Sequence, residues 1–126
     1  MDELELFEDI DEALGALVKA LGGHKVVGRH FKPEMTIEAA GNWCRDCCNP
    51  DRREKFSPSQ VIALLKMARE AGYHATMRWI ALECSYSAPK PLDPQDQADE
   101  LRREVIGSVR KLERLTERLE RLGMGA

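Results

Sequence analysis

Aromatic residues are scarce: three Phe, two Tyr and two Trp, 6% of 126 residues. So few rings, beside 33% charged residues, argue against a β core and for a small helical protein. No segment alternates apolar and polar residues as a half-buried strand does. No apolar run approaches the roughly 20 residues needed to cross a bilayer, so no membrane association is expected. The N-terminal stretch MDELELFEDIDE is acidic where a signal peptide is basic and then apolar. A cytoplasmic location is therefore expected, where thiols stay reduced and the four cysteines do not form a disulfide framework. A Gly-rich phosphate loop, a nucleophile beside a base and clustered carboxylates with metal spacing are all missing, so no catalysis is expected.

Charge is present but unevenly placed. The net is −3. Residues 1–22 hold seven acids and one lysine, residues 23–90 have a net of +4, and residues 91–126 a net of −1. A basic middle is the footprint expected of a polyanion-binding surface, although the excess is modest.

Helical signals recur through that middle. Leu14, Leu17, Val18 and Leu21 share one face of a helix over 9–21, with Asp9 and Glu12 as its cap and Gly22-Gly23 as its stop. A short helix over 24–31 offers Val26, Val27, His30 and Phe31, and Pro33 bars its continuation. Thr36 caps a third helix running to Cys48, before Pro50. Its apolar face is Ile37, Ala40, Cys44 and Cys47. Ser57-Pro58-Ser59-Gln60 is a capping box with Pro at the first helical position, flanked by the staple pair Phe56 and Val61. The helix it opens carries Val61, Ile62, Leu64, Leu65, Met67 and Ala68 toward the core and ends at Gly72. A fifth helix, 74–85, shows Met77, Ile80, Ala81 and Cys84 on one face.

The C-terminal third has a different character. SAPKPLDPQDQ, 87–97, contains three prolines and reads as a semi-rigid linker. Beyond it, Ala98, Val105, Leu112 and Leu119 fall in one register of a seven-residue repeat, and Leu101, Ser108, Leu115 and Leu122 in the other. Glu104, Lys111 and Arg118 take the g positions, and Arg102 an e position. A helix over 98–123 would be about 39 Å long. Its narrow stripe must be buried against something. Self-association through Leu101, Val105, Leu112, Leu115, Leu119 and Leu122 is expected, as a dimer or tetramer; docking on the globular part or on a partner protein is the alternative. Domain limits are thus expected at 1–86, 87–97 and 98–123.

Five short helices with a close second and third suggest a phage-repressor type of DNA-binding domain. The fold class expected is all-α: a five-helix lambda-repressor-like helix-turn-helix domain followed by a long C-terminal coiled-coil helix. The stretches LGGHKVVG and CCNPDRREKFSPSQVIALLKMAREAGYHATMRWIALECSY resemble the phage regulatory protein CII family of prophage helix-turn-helix regulators. The matching elements are Cys48-Asn49-Pro50, the helix opened by Ser57-Pro58, the turn Ala71-Gly72-Tyr73-His74, and Ala81-Leu82-Glu83. They lie within roughly residues 12–86. Cys48 stands where the family's Asn-Pro signature has Leu, and KPEMTI (32–37) is longer than the simplest helix-turn-helix connection. The resemblance implies an oligomeric transcription regulator that binds a double-stranded DNA operator.

If the third helix enters a major groove, Asn42 would pair with adenine, Arg45 with guanine, and Glu38 would accept from cytosine. Lys25, Arg29 and Lys32 before it, and Arg52, Arg53 and Lys55 after it, would contact phosphates. The plain alternative for these residues is a solvated helical face, and for the whole protein an oligomeric protein–protein interaction module without DNA binding. Cys44-x-x-Cys47 has the spacing of half a zinc knuckle or of a redox pair. The remaining candidates, Cys84, His24, His30 and His74, are dispersed, and the helix C-terminus raises rather than lowers a thiol pKa. Cys44 and Cys47 are therefore expected as small buried hydrophobes, with no metal or cofactor.

Overall fold

The computed structural model describes residues 6–123. Among them the chain forms six α-helices and no strand: α1 Ile10–Ala20, α2 His24–Phe31, α3 Ile37–Cys47, α4 Pro58–Glu70, α5 Ala75–Glu83 and α6 Pro94–Arg121. The all-α class follows. None of these helices is long and apolar enough to cross a membrane. The chain divides into two compact units, 1–89 and 90–126, with five helices in the first and α6 in the second.

Local chemistry accounts for most helix ends. Asp9 Oδ1 accepts from Glu12 N at 2.8 Å, and the Glu12 carboxylate accepts from Glu8 N at 3.0 Å. At the other end of α1, Gly22 takes φ 116° and Gly23 N–H donates to Val18 O at 2.9 Å, a Schellman closure that satisfies an orphan carbonyl. Thr36 Oγ1 accepts from Ala39 N to open α3. Asn49 Oδ1 accepts from Asp51 N just past its end. Both bonds of the capping box at α4 are present, Gln60 N to Ser57 Oγ at 3.1 Å and Ser57 N to Gln60 Oε1 at 2.8 Å.

The core of the first unit gathers Leu14, Leu17 and Val18 of α1, Val27 of α2, Cys44 and Cys47 of α3, Phe56, and Leu64 and Ala68 of α4. Phe31, Trp43 and Phe56 add mutual edge and tilted ring contacts at 5.5–6.2 Å. Thr76 on α5 is fully buried, and its hydroxyl donates to Ala13 O at 2.7 Å, tying α5 to α1. Trp79 Nε1 donates to Phe7 O at 3.0 Å.

Several apolar residues expected inside lie outside. Ile37 is 45% exposed, Val26 56% and Ile62 55%. Ile37 shares the face of Ala40 and Cys44 but is the first residue of α3, while Val26 and Ile62 are turned away from the buried residues of their helices. On α5 the inward residues are Thr76 and Ala81, whereas Met77 and Cys84 are exposed. Ala81 keeps its expected place, and Thr76 takes the buried position beside α1 through its bond to Ala13 O.

The second unit begins its helix earlier than the prolines suggest. Asp93 Oδ1 accepts from Asp96 N at 2.8 Å, and Pro94 occupies the first turn, where a missing N–H costs nothing. Residues 94–97 are therefore helical, not linker, and the 28-residue α6 is about 42 Å long. Leu101, Val105, Leu112, Leu115, Leu119 and Leu122 are all exposed along it. Ile106 and Val109, outside the expected registers, are exposed too and widen the apolar stripe on either side of Ser108.

Candidate nucleic-acid interface

The pair α2–α3 is the most closely packed in the first unit, and glycine makes it so. A Cβ on Gly28 would lie 2.2 Å from Ala40 O, and one on Gly41 3.0 Å from Lys25 Cγ. With Gly28, Ala40 and Gly41 turned inward, the opposite side of α3 faces solvent. It carries Glu38, Asn42 and Arg45, all exposed and spaced i, i+4, i+7, which is one stripe of a helix. Arg45 Nη1 approaches Asn42 Oδ1 at 3.5 Å, a contact too long to immobilise either side chain. The helix expected to present polar groups outward does so.

The flanking cations fall into two groups. Lys25 and Arg29 are exposed one turn apart on α2, and the Lys25 stem lies against Gly41 of α3. Arg52 and Arg53 are exposed in the loop after α3; Arg52 reaches Asp46 only at 4.0 Å, and Arg53 has no ion-pair partner among the described residues. Lys32 and Lys55 are already engaged. Lys32 Nζ sits 5.0 Å from the centre of the Trp43 ring. Lys55 Nζ donates to Asn49 O at 2.8 Å and to Asp11 Oδ2 at 3.2 Å. The role of Lys55 is thus to tie the loop after α3 to the start of α1, and its ammonium has less freedom to follow a phosphate than expected.

The cysteines separate into different environments. Cys44 and Cys47 are buried, as expected of small hydrophobes. Cys47 faces the core, and burial pushes its thiol up to about 12. Cys44 lies in the same core, and its interaction with Cys48 raises the Cys44 thiol and lowers that of Cys48. His24, at the first position of α2, completes a group: its ring nitrogen and the Cys44 and Cys48 Sγ atoms all lie within 4.8 Å of one another. Burial, and then Arg45, hold the His24 pKa below its ordinary value. The group borders an open cleft of about 680 Å³ that Asp11, Glu12, Lys19 and Arg45 also line. The pair that the structure brings together with His24 is Cys44 and Cys48, not the Cys44-x-x-Cys47 pair. The i, i+4 pair Cys44 and Cys48 was the legible signal, since those two share a helix face.

No protein-family model, curated protein or solved structure matches this chain.

Proposed function

We propose that the protein is a sequence-specific DNA-binding transcriptional regulator of phage or prophage type, cytoplasmic and active as an oligomer. In this reading α2 and α3 form the helix-turn-helix of a lambda-repressor-like head, and α6 pairs two or more heads as a coiled coil. The observation that carries it is the solvent-facing stripe Glu38–Asn42–Arg45 on a helix braced from behind by Gly28 and Gly41, with Lys25 and Arg29 alongside. Those are the groups that read base edges and hold phosphates. The resemblance of residues 12–86 to the CII family agrees with it. One head contacts few bases, so coupling two through α6 makes the second contact effectively intramolecular.

Titration of a labelled duplex from the protein's own upstream region, at 50 to 200 mM salt, tests the reading. Four exposed cations per head, Lys25, Arg29, Arg52 and Arg53, give about eight phosphate contacts for two heads. The slope of log K against log salt is then about −7, and affinity falls about 10⁴-fold over that range. A second reading, an oligomeric protein–protein interaction module, draws on the exposed Val26, Met35 and Ile37 of α2, the α2–α3 turn and α3. Absence of any shift at low salt and saturating protein would favour it and reject the first.

A further inference from the structure

We propose that His24, Cys44 and Cys48 form a binding site for one thiophilic divalent cation of the zinc class, with a fourth position open toward the cleft beside α1. Three separate features converge on it. The donor set, one imidazole and two thiols, is the set that Zn²⁺ prefers over the harder cations, which take oxygen. The three donor atoms already lie within 4.8 Å of one another; tetrahedral coordination with Zn–S of about 2.3 Å and Zn–N of about 2.0 Å sets ligand atoms roughly 3.5–3.8 Å apart. Closing that gap needs a shift of no more than about 1 Å among the three side chains, and Cys48 is only half-buried at the very end of α3. The third feature is His24 Nδ1, a buried nitrogen with no hydrogen-bond partner among the described residues. A buried polar atom left unpaired is costly, and a cation held through that nitrogen would satisfy it.

The charge balance is favourable. Binding releases the two thiol protons to solvent, so a dication and two thiolates make a neutral centre with the neutral imidazole. The charged groups around it oppose one another: Asp11 faces Cys48 and is held by Lys55, while Arg45 lies toward His24. Three protein ligands leave one position for water or for a small ligand entering from the cleft. The site joins the first residue of α2 to the last turn of α3. It is independent of whether the outer face of α3 meets DNA.

The test uses the full-length reduced protein, stripped with a chelator and titrated with Co²⁺ and then Zn²⁺. The expected result is one Co²⁺ per chain, with the visible bands of a tetrahedral site and a thiolate-to-cobalt charge-transfer band, both bleached by one equivalent of Zn²⁺. Cys48→Ser and His24→Gln each weaken binding by at least about tenfold, whereas Cys84→Ala, at an exposed thiol, and Cys47→Ala, in the core, leave the stoichiometry and spectrum unchanged. Both ligand variants alter half-buried side chains, and an unchanged helical circular dichroism spectrum shows that either still folds. The proposal is overturned if stoichiometric Co²⁺ gives no charge-transfer band. It is also overturned if folded Cys48→Ser and His24→Gln bind as tightly as the parent, or if binding is lost with Cys47 or Cys84 instead.

Discussion

Replacing Gly28 by Ala is the sharpest test of how the first unit is assembled. The added methyl would sit 2.2 Å from Ala40 O and 2.6 Å from Ala40 C, and neither atom belongs to a side chain that can rotate away. Relief requires α2 and α3 to separate by about 1 Å. A gap of that size forfeits a quarter to a half of each van der Waals contact along the seam, where Val27, Phe31, Trp43 and Cys44 meet. Overpacking of this kind costs typically 1–3 kcal/mol and at a backbone clash the upper end applies. Ala is about 1 kcal/mol better than Gly inside a helix, which offsets part of the cost. The net loss is about 2 kcal/mol, or about 8–16 °C in melting temperature for a unit of this size. Tryptophan fluorescence is the suitable probe, because Trp43 and Trp79 are the only tryptophans and both lie in the first unit. Gly41→Ala is the internal control: its methyl would meet the Lys25 stem at 3.0 Å, and that stem can move. It is expected to stay within about 1 kcal/mol of the parent. Equal or higher stability of Gly28→Ala, with Gly41→Ala the weaker of the two, would refute the packing described.

Three further substitutions probe other joints. Thr76→Val removes the buried hydroxyl that donates to Ala13 O, and a loss of about 1 kcal/mol, read in urea unfolding, is expected; no change would mean that α5 does not depend on that bond. Ser85 holds φ 68° just past α5, so Ser85→Gly should relieve left-handed strain and gain about 0.5 kcal/mol net of the glycine entropy cost. A loss of stability there would argue against that backbone geometry. Leu112→Asp on α6 removes an apolar side chain worth at least about 1.5 kcal/mol from each copy, so association should weaken by at least about 10²-fold for two copies. Sedimentation equilibrium of the full chain reads this directly, and an unchanged mass distribution would show that the stripe does not mediate self-association.

Helix ends were largely legible in the sequence because they rest on chemistry within four residues. Asp9, Thr36, Ser57-Pro58, Gly22-Gly23 and Gly72 all act where the residue types indicate. The start of α6 was equally local, with Asp93 as cap and Pro94 in the first turn, but the prolines at 89, 91 and 94 disguised it as linker. Facing was less legible. Val26, Ile37, Ile62 and Met77 are exposed, Ile37 at a helix end and on the face of Ala40 and Cys44, and only the position of a neighbouring helix decides which apolar residues are covered. The outward stripe of α3 followed from period alone, whereas the capture of Lys55 by Asp11 joins residues 44 positions apart and has no local signature. The same holds for His24, which reaches Cys44 and Cys48 only because Gly28 lets α2 lie tightly on α3.

The decisive measurement is selection of bound sequences from random duplexes, carried out with the full chain and with Arg45→Ala, Asn42→Ala and the pair Lys25→Ala/Arg29→Ala. A groove-reading α3 yields an enriched motif of two half-sites about one DNA turn apart. Arg45→Ala or Asn42→Ala relaxes a single base position in each half, at about 1–3 kcal/mol, while the Lys25/Arg29 pair weakens binding to all sequences alike. No enrichment, or an enriched motif that Arg45→Ala and Asn42→Ala both leave intact, would contradict the assignment of α3 as the reading helix.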